Sequence, residues 1–144
     1  NTDLTIHEFG HMLFCGGGEG ICYAGGTILQ FLVPLSCILY FLFTRRYFSA
    51  SLVLFWLGEN LINSSYYMAT AIDMEGIYFS PWEGIMSKAQ NPGLITDWNY
   101  LFGRWGVLSH APAIAEAVNV FGFAVMAAAV VCGIRGSRKG EEEL

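Results

Sequence analysis

Three long apolar segments constrain what this chain can fold into. They cover residues 27–43, 50–72 and 113–134, and the first reaches the ~20 residues that a bilayer requires when residues 23–26 are added. Only 13% of the 144 residues are charged, whereas a soluble domain carries about 25%. This composition predicts an integral membrane protein, and helices satisfy their backbone hydrogen bonds without water.

Two further helices are predicted outside these spans. Residues 4–15 are expected to form a short membrane-embedded helix. Residues 98–108 carry apolar side chains at helical spacing, namely Trp98, Leu101, Phe102, Trp105 and Leu108. Such an amphipathic helix is expected to lie against the membrane surface or against the bundle. The predicted fold is an all-α membrane protein with about three transmembrane helices. Residues 1–134 form its single domain, and residues 135–144 a charged tail that is expected to be disordered.

The connecting segments contain three local signals. Ser80, Pro81 and Glu83 have the form of a capping box, which predicts that a short helix begins there. The glycine-rich stretch 16–26 allows either a re-entrant turn or very close helix packing. Cys15 and Cys22 flank the first glycines and could form a disulfide or act as ligands.

The chemistry of the chain is concentrated in His7-Glu8-Phe9-Gly10-His11, which has the form H-E-x-x-H. Residues i and i+4 of a helix share one face, so both imidazoles can reach one metal ion. Two histidines suit zinc and leave room for a third ligand and a water. Glu8 is placed to deprotonate that water as a general base. The alternative is a pair of histidines that serves only the packing or the surface of the helix.

Two aspartates are candidates for a third ligand. Asp97 comes from a separate segment and could approach the metal from another side, although it could instead cap the helix at 98–108. Asp73 is the alternative third ligand, or a hydrogen-bond partner of a ligating histidine.

A stripe of polar residues runs along the second span. Its members follow at helical spacing and are Glu59, Asn63, Tyr66, Thr70 and Asp73. Polar side chains inside a membrane helix face a protein interior or a water-filled cavity. The stripe is therefore expected to face the motif helix, with the alternative that its carboxyl groups only tie helices together.

Basic residues predict the orientation of the spans. They follow the first and third spans and are Arg45, Arg46, Arg135, Arg138 and Lys139. By the positive-inside rule these ends and the C-terminus are cytoplasmic in a multi-pass protein. The chain start and the loop 73–110 then lie on the opposite side, which brings the H-E-x-x-H motif, Asp73 and Asp97 into one half of the molecule.

The motif in this membrane setting resembles the site-2 protease family of intramembrane zinc metalloproteases. The resemblance implies that His7 and His11 are zinc ligands, that Glu8 is the general base, and that a later aspartate is the third ligand. That family carries an Asp-Gly pair at its third ligand, and this chain has none. The implied activity is hydrolysis of a peptide bond in or near the bilayer, with a membrane protein as substrate.

Two other functions remain open from the sequence. The chain could be a non-catalytic subunit of a larger membrane assembly, in which His7 and His11 bind a haem, a chlorophyll-type pigment or nothing. It could also be a small transporter or ion-pathway component built on the polar stripe. Nucleic acid is not an expected partner, because the net charge is −5 and no basic patch is interleaved with aromatic residues.

Overall fold

The fold is that of a computed structural model, which describes residues 2–73, 77–80, 84–87 and 95–142, with backbone alone for 77–80, 84–87 and 138–142. The helices of these ranges are α1 (Thr2–Phe14), α2 (Glu19–Phe43), α3 (Tyr47–Ala69), α4 (Asp97–Arg104) and α5 (Ala111–Glu142). Short 3₁₀ turns at Cys15–Gly17 and Leu108–His110 precede α2 and α5. Strands β1 (Ile77–Ser80) and β2 (Gly84–Ser87) form one antiparallel hairpin. The fold is thus helical, as predicted, apart from this hairpin.

Two of the described helical segments are long and apolar enough to cross a membrane. They are Glu19–Phe43 and Leu108–Ser137. Both leave large apolar side chains exposed, including Leu32 and Leu39 on α2 and Phe121 on α5. The second predicted span forms α3. This helix has 23 residues, but it carries more polar side chains and is not counted among the helices that are apolar enough to cross a membrane. Three spans therefore remain a prediction.

The long helices pack as antiparallel neighbours in the order α1, α2, α3, α5. On the α3–α5 face, Ser51 lies beside Gly133 near one end and Ser65 accepts a hydrogen bond from Asn119 near the other, at 2.9 Å. Small residues allow this contact to be close. A Cβ atom at Gly122 would lie 2.8 Å from Ile62 Cγ1 and 2.9 Å from the Gly58 carbonyl oxygen.

Helix α4 closes one end of the bundle. Its Trp98, Leu101 and Phe102 are buried against the end of α3 and the start of α5, where they contact Met68, Ala71, Ala111 and Ala115. Asn99 donates a hydrogen bond to the Ala71 carbonyl oxygen at 2.8 Å. Of the two positions expected for this amphipathic helix, the structure therefore shows the one against the bundle.

Two boundaries differ from the sequence prediction. Residues on both sides of the proposed capping box form β1 and β2, so no helix begins at Ser80; residues 81–83 themselves lie outside the described ranges. Ile77, Tyr78 and Phe79 are β-branched or aromatic, and such residues favour a strand. Helix α5 continues past residue 134 to Glu142, although Gly136 and Gly140 are poor helix formers.

The α3–α5 contact makes a testable prediction about stability. Gly122→Val puts a branched side chain into a gap that has no room for a Cβ atom, and we expect it to lower the free energy of unfolding by about 1–3 kcal/mol. The control is Ala128→Val, which adds the same side chain to an exposed position of the same helix. Denaturant unfolding in detergent, followed by tryptophan fluorescence, measures both. Equal effects of the two substitutions would contradict the packing described here.

Candidate metal centre

Three potential metal ligands converge where α1, α2 and α4 meet. His7 and His11 come from α1, and Asp97 is the first residue of α4. Among the described residues these three form the group of His, Cys, Asp and Glu side chains that could hold a metal ion. The sequence prediction named all three, and the structure brings them together.

The donor atoms form a nearly equilateral triangle. His7 Nε2 lies 3.1 Å from His11 Nε2 and 3.1 Å from Asp97 Oδ2, and His11 Nε2 lies 3.2 Å from the same oxygen. Ligands of a tetrahedral zinc ion are about 3.3 Å apart when each bond is about 2.0–2.1 Å long. The triangle therefore matches one face of a zinc tetrahedron, and its fourth corner is not taken by any of these three residues.

Glycines position the two histidines by allowing α1 and α2 to touch backbone to backbone. A Cβ atom at Gly10 would collide with Gly25, and one at Gly25 would lie 2.8 Å from the Gly10 carbonyl oxygen. Beneath the site, a Cβ atom at Gly26 would lie 2.5 Å from His7 Nε2 and 2.6 Å from His11 Nε2. The glycine-rich stretch thus provides very close helix packing at 25–26, which was one of its two predicted roles.

The ring of His11 is oriented by the start of α2. Its Nδ1 lies 2.7 Å from the Cys22 carbonyl oxygen, which can only accept a hydrogen bond. Nδ1 therefore carries the proton of neutral His11, and its lone pair is on Nε2, which faces His7 Nε2 and Asp97 Oδ2. A disulfide between Cys15 and Cys22 ties the end of α1 to this part of α2.

The ring of His7 is oriented by a chain of hydrogen bonds through three helices. Asn60 Nδ2 donates to the Trp56 carbonyl oxygen at 3.1 Å, so Asn60 presents its own oxygen to Gln30. Gln30 Nε2 donates to that oxygen at 2.7 Å, so Gln30 presents Oε1 to His7 Nδ1, 3.1 Å away. An oxygen there requires a proton on His7 Nδ1. The lone pair of His7 is therefore on Nε2, which faces His11 Nε2 and Asp97 Oδ2.

The carboxylate of Asp97 is available to the site because Thr96 caps α4. Thr96 is the N-cap of α4, and its side chain accepts a hydrogen bond from the Asn99 backbone N–H. The alternative in which Asp97 itself caps the helix is therefore not realised. The apolar packing of α4 holds the buried carboxylate against the two histidines.

The electrostatics of the cluster favour a bound cation. Burial disfavours a charged His11, but its hydrogen bond with Asp97 and the charge of that carboxylate outweigh burial and raise the pKa of His11 to about 9. Burial alone would raise the pKa of Asp97, but the protonated forms of His11 and His7, through hydrogen bonds to the carboxylate and through their charges, outweigh it and lower the pKa. Two ring lone pairs and a carboxylate that converge within 3.2 Å repel one another unless a proton or a metal ion lies between them.

Glu8 lies beside the triangle and not within it. It is half-buried and close enough to interact electrostatically with His7, His11 and Asp97. Burial raises the pKa of Glu8, and the charges of the two histidines only partly offset this effect. A carboxylate with a raised pKa is a better proton acceptor than an ordinary surface glutamate.

The polar stripe does not face this cluster. The structure places Glu59, Asn63, Tyr66 and Asp73 on the exposed side of α3 and its C-terminal turn, and Tyr66 is 65% exposed; Thr70 is half-buried. The expected orientation toward the motif helix is therefore not met. Asn63 donates to Glu59 at 3.4 Å along the same face. Asp73 is not part of the donor group, which leaves Asp97 as the third ligand among the described residues.

The face of α3 that turns inward carries Asn60, which the sequence prediction did not single out, and it meets Gln30 of α2. Asn60 is completely buried, and Gln30 of α2 is 7% exposed. A side-chain amide needs hydrogen-bond partners when it is buried, so isolated amides in apolar spans are a usable signal. Gln30 gives this signal because it is an isolated amide within 23–43. Asn60 does not, because the polar residues Glu59 and Asn63 are close to it in the sequence.

Comparisons of the chain with family models, with curated proteins and with solved structures find no match. The resemblance to site-2 proteases therefore stays a prediction based on the H-E-x-x-H motif and its membrane setting. What the site can do is inferred from its own geometry.

The glycine beneath the histidines gives a sharp test. Gly26→Ala places a methyl group within 2.6 Å of both Nε2 atoms, and we expect stoichiometric zinc binding to be lost. The control is Gly103→Ala, because a Cβ atom at Gly103 meets no atom within 4 Å. Zinc content after purification and dialysis measures the effect. An alanine variant at 26 that keeps one zinc per chain would show that the metal lies elsewhere.

The hydrogen-bond chain gives a second test. Gln30→Ala removes the acceptor of His7 Nδ1–H, and such partners of ligating histidines typically contribute about 10–100-fold in metal affinity. Asn60→Ala is expected to weaken zinc in the same direction by releasing Gln30, whereas Asn63→Ala on the exposed face should have no effect. Competition with a chromogenic zinc chelator gives the affinities. Equal affinities in all three variants would remove the role assigned to Gln30.

Proposed function

We propose that this chain is a membrane-embedded zinc metallopeptidase with Glu8 as its general base. The observation that carries the proposal is the triangle of His7 Nε2, His11 Nε2 and Asp97 Oδ2, with edges of 3.1–3.2 Å and Glu8 beside it. Two histidines and one carboxylate are the ligand set of several zinc peptidases, which keep a fourth position for water or substrate. Zinc is proposed because the H-E-x-x-H pattern places Glu8 beside the two histidines, as in zinc peptidases; the donor set by itself is shared with non-haem iron(II) sites.

In this proposal His7, His11 and Asp97 bind the metal, and Glu8 transfers the proton. A zinc ion held by His7, His11 and Asp97 would supply Lewis acidity toward a water and toward the carbonyl group of a substrate. Glu8 accepts the proton of the attacking water and passes it to the leaving amine. Gln30 and the Cys22 carbonyl oxygen hold the two rings with Nε2 toward the metal. The exposed fraction of the His11 side chain, 21%, is the largest of the three ligands and marks the accessible side of the site.

The membrane placement has three supports that do not depend on the metal ligands. The exposed apolar surfaces of α2 and α5 suit lipid contact. Arg45 and Arg135 lie at the end of the bundle that is opposite to α4, which is the cytoplasmic end by the positive-inside rule. The Cys15–Cys22 disulfide lies at the end with the site, as expected if that end faces an oxidising compartment. We infer a multi-pass protein with a cytoplasmic C-terminus.

The same geometry bears on the other functions. Three donors on one small triangle leave no space for a planar macrocycle between the histidines, so a haem or pigment is not supported. An exposed polar stripe on α3 does favour a second candidate, membership of a larger membrane assembly, because polar side chains within a membrane need a partner or a cavity. Assembly and peptidase activity are compatible.

The proposal is tested by separating metal binding from turnover. Full-length protein in detergent should contain one zinc per chain, and His7→Ala, His11→Ala and Asp97→Ala should lose it, whereas Asp73→Ala should not. Glu8→Gln should keep the zinc and lower cleavage by about 10²–10⁴-fold, because it removes only the general base. Cleavage is measured by mass spectrometry on labelled casein and on single-span peptides in liposomes.

Three results would count against the proposal. Loss of zinc in Glu8→Gln would make Glu8 a ligand or a structural residue. Equal cleavage by the wild type and Glu8→Gln would place the observed hydrolysis in a contaminant or in another mechanism. A zinc-loaded wild type that cleaves neither probe, and whose visible spectrum after cobalt substitution is unchanged by acetohydroxamate, would overturn the open catalytic site.

A further inference from the structure

A cavity lies at the end of the bundle opposite to the candidate metal centre. It has a volume of about 320 Å³, is open on one side, and is formed by the end of α2, the start of α3 and the end of α5. The lining residues used below are Ile38, Leu42, Ala50, Leu54, Cys132 and Arg135. We refer to it as the α2–α5 groove. A volume of this size is at the lower limit of known ligand sites, which span about 300–1,000 Å³.

The groove is apolar with one cationic position. Ser51 also lines it, but its hydroxyl donates to the Phe48 carbonyl oxygen at 2.6 Å and is thereby satisfied. Arg135 is the charged residue of the lining, and no described carboxylate lies within 4.0 Å of its guanidinium group. Gly136 packs against the backbone of Tyr47 and Phe48, which fixes Arg135 beside the first turn of α3. An occupant should therefore have an apolar part and an anionic group.

The surroundings of the groove select among such occupants. Arg45 and Arg46 follow α2 at the same end of the bundle, so the basic residues Arg45, Arg46 and Arg135 gather at the end that carries the groove. Phe43 beside them is 84% exposed, as expected for a side chain in contact with lipid. Basic pockets between transmembrane helices on the cytoplasmic side bind anionic lipid headgroups, and anionic lipids are enriched in that leaflet.

We propose that the α2–α5 groove binds one acyl chain of an anionic phospholipid, whose phosphate pairs with Arg135. The chain lies along Ile38, Leu42 and Leu54, and the headgroup stays at the basic end. An apolar helix of a partner protein fits this site less well, because it would cover Arg135 without neutralising it. The proposal rests on the membrane placement given above and not on the peptidase activity.

The test compares two lipids with identical acyl chains and different headgroups. Full-length protein in detergent is titrated with dioleoyl phosphatidylglycerol or dioleoyl phosphatidylcholine and examined by native mass spectrometry. We expect one retained phosphatidylglycerol per chain and a preference of roughly fivefold, which is the effect of one arginine near an anionic headgroup. Arg135→Gln should remove the preference. The control Arg104→Gln, an exposed arginine of α4 at the other end, should keep it.

A second variant tests the apolar part of the site. Cys132 is exposed on α5 and lines the groove, so Cys132→Phe should fill the groove and lower retention of both lipids, while an unchanged zinc content shows that the fold is intact. Equal retention of the two lipids by the wild type, or an unchanged preference in Arg135→Gln, would overturn the proposal. Retention of neither lipid would also overturn it and would leave the groove to a partner helix. The groove is remote from His7 and His11, and an unchanged midpoint of denaturant unfolding shows independently of zinc that Cys132→Phe is folded, so these outcomes do not depend on whether the chain cleaves peptides.

Discussion

The structure depends on the crossing of α1 and α2, where Gly10 meets Gly25 and Gly26 without any side chain between the two backbones. This contact brings both imidazoles over α2 and places each Nδ1 within reach of an acceptor on that helix. Any larger residue at 26 would occupy the space next to the two Nε2 atoms. The metal centre is thus built by the absence of side chains as much as by the ligands themselves.

The rest of the bundle orients His7 Nε2, His11 Nε2 and Asp97 Oδ2 toward one another. The Trp56 carbonyl oxygen determines the orientation of Asn60, Asn60 that of Gln30, and Gln30 the proton position on His7. Asp97 is brought in by α4, whose apolar face packs on α3 and α5. Without a metal, a proton must lie among the converging ring nitrogens and the carboxylate, as the raised pKa of His11 indicates. A bound divalent metal would take the place of this proton, which links the fold to the proposed function.

The sequence predicted the ligands better than it predicted what surrounds them. His7, Glu8 and His11 follow from the helical period alone, and Asp97 from the need for a ligand on another segment. The stripe from Glu59 to Asp73 has an equally regular period, yet the neighbouring residue Asn60 is the buried one. One residue along a helix is a rotation of about 100°, and periodicity does not say which face turns inward. Hydrogen bonds between different helices leave no periodic signal, so the link from Gln30 to Asn60 needed the structure.

The central claim is that one zinc ion is bound by His7, His11 and Asp97 with an open fourth position. X-ray absorption spectroscopy of the zinc-loaded full-length protein tests it most directly. The account predicts four nitrogen or oxygen neighbours at about 2.0–2.2 Å, with the outer-shell scattering of two imidazoles. A sulfur neighbour at about 2.3 Å would assign the metal to cysteine, and scattering from fewer than two imidazoles would contradict the site.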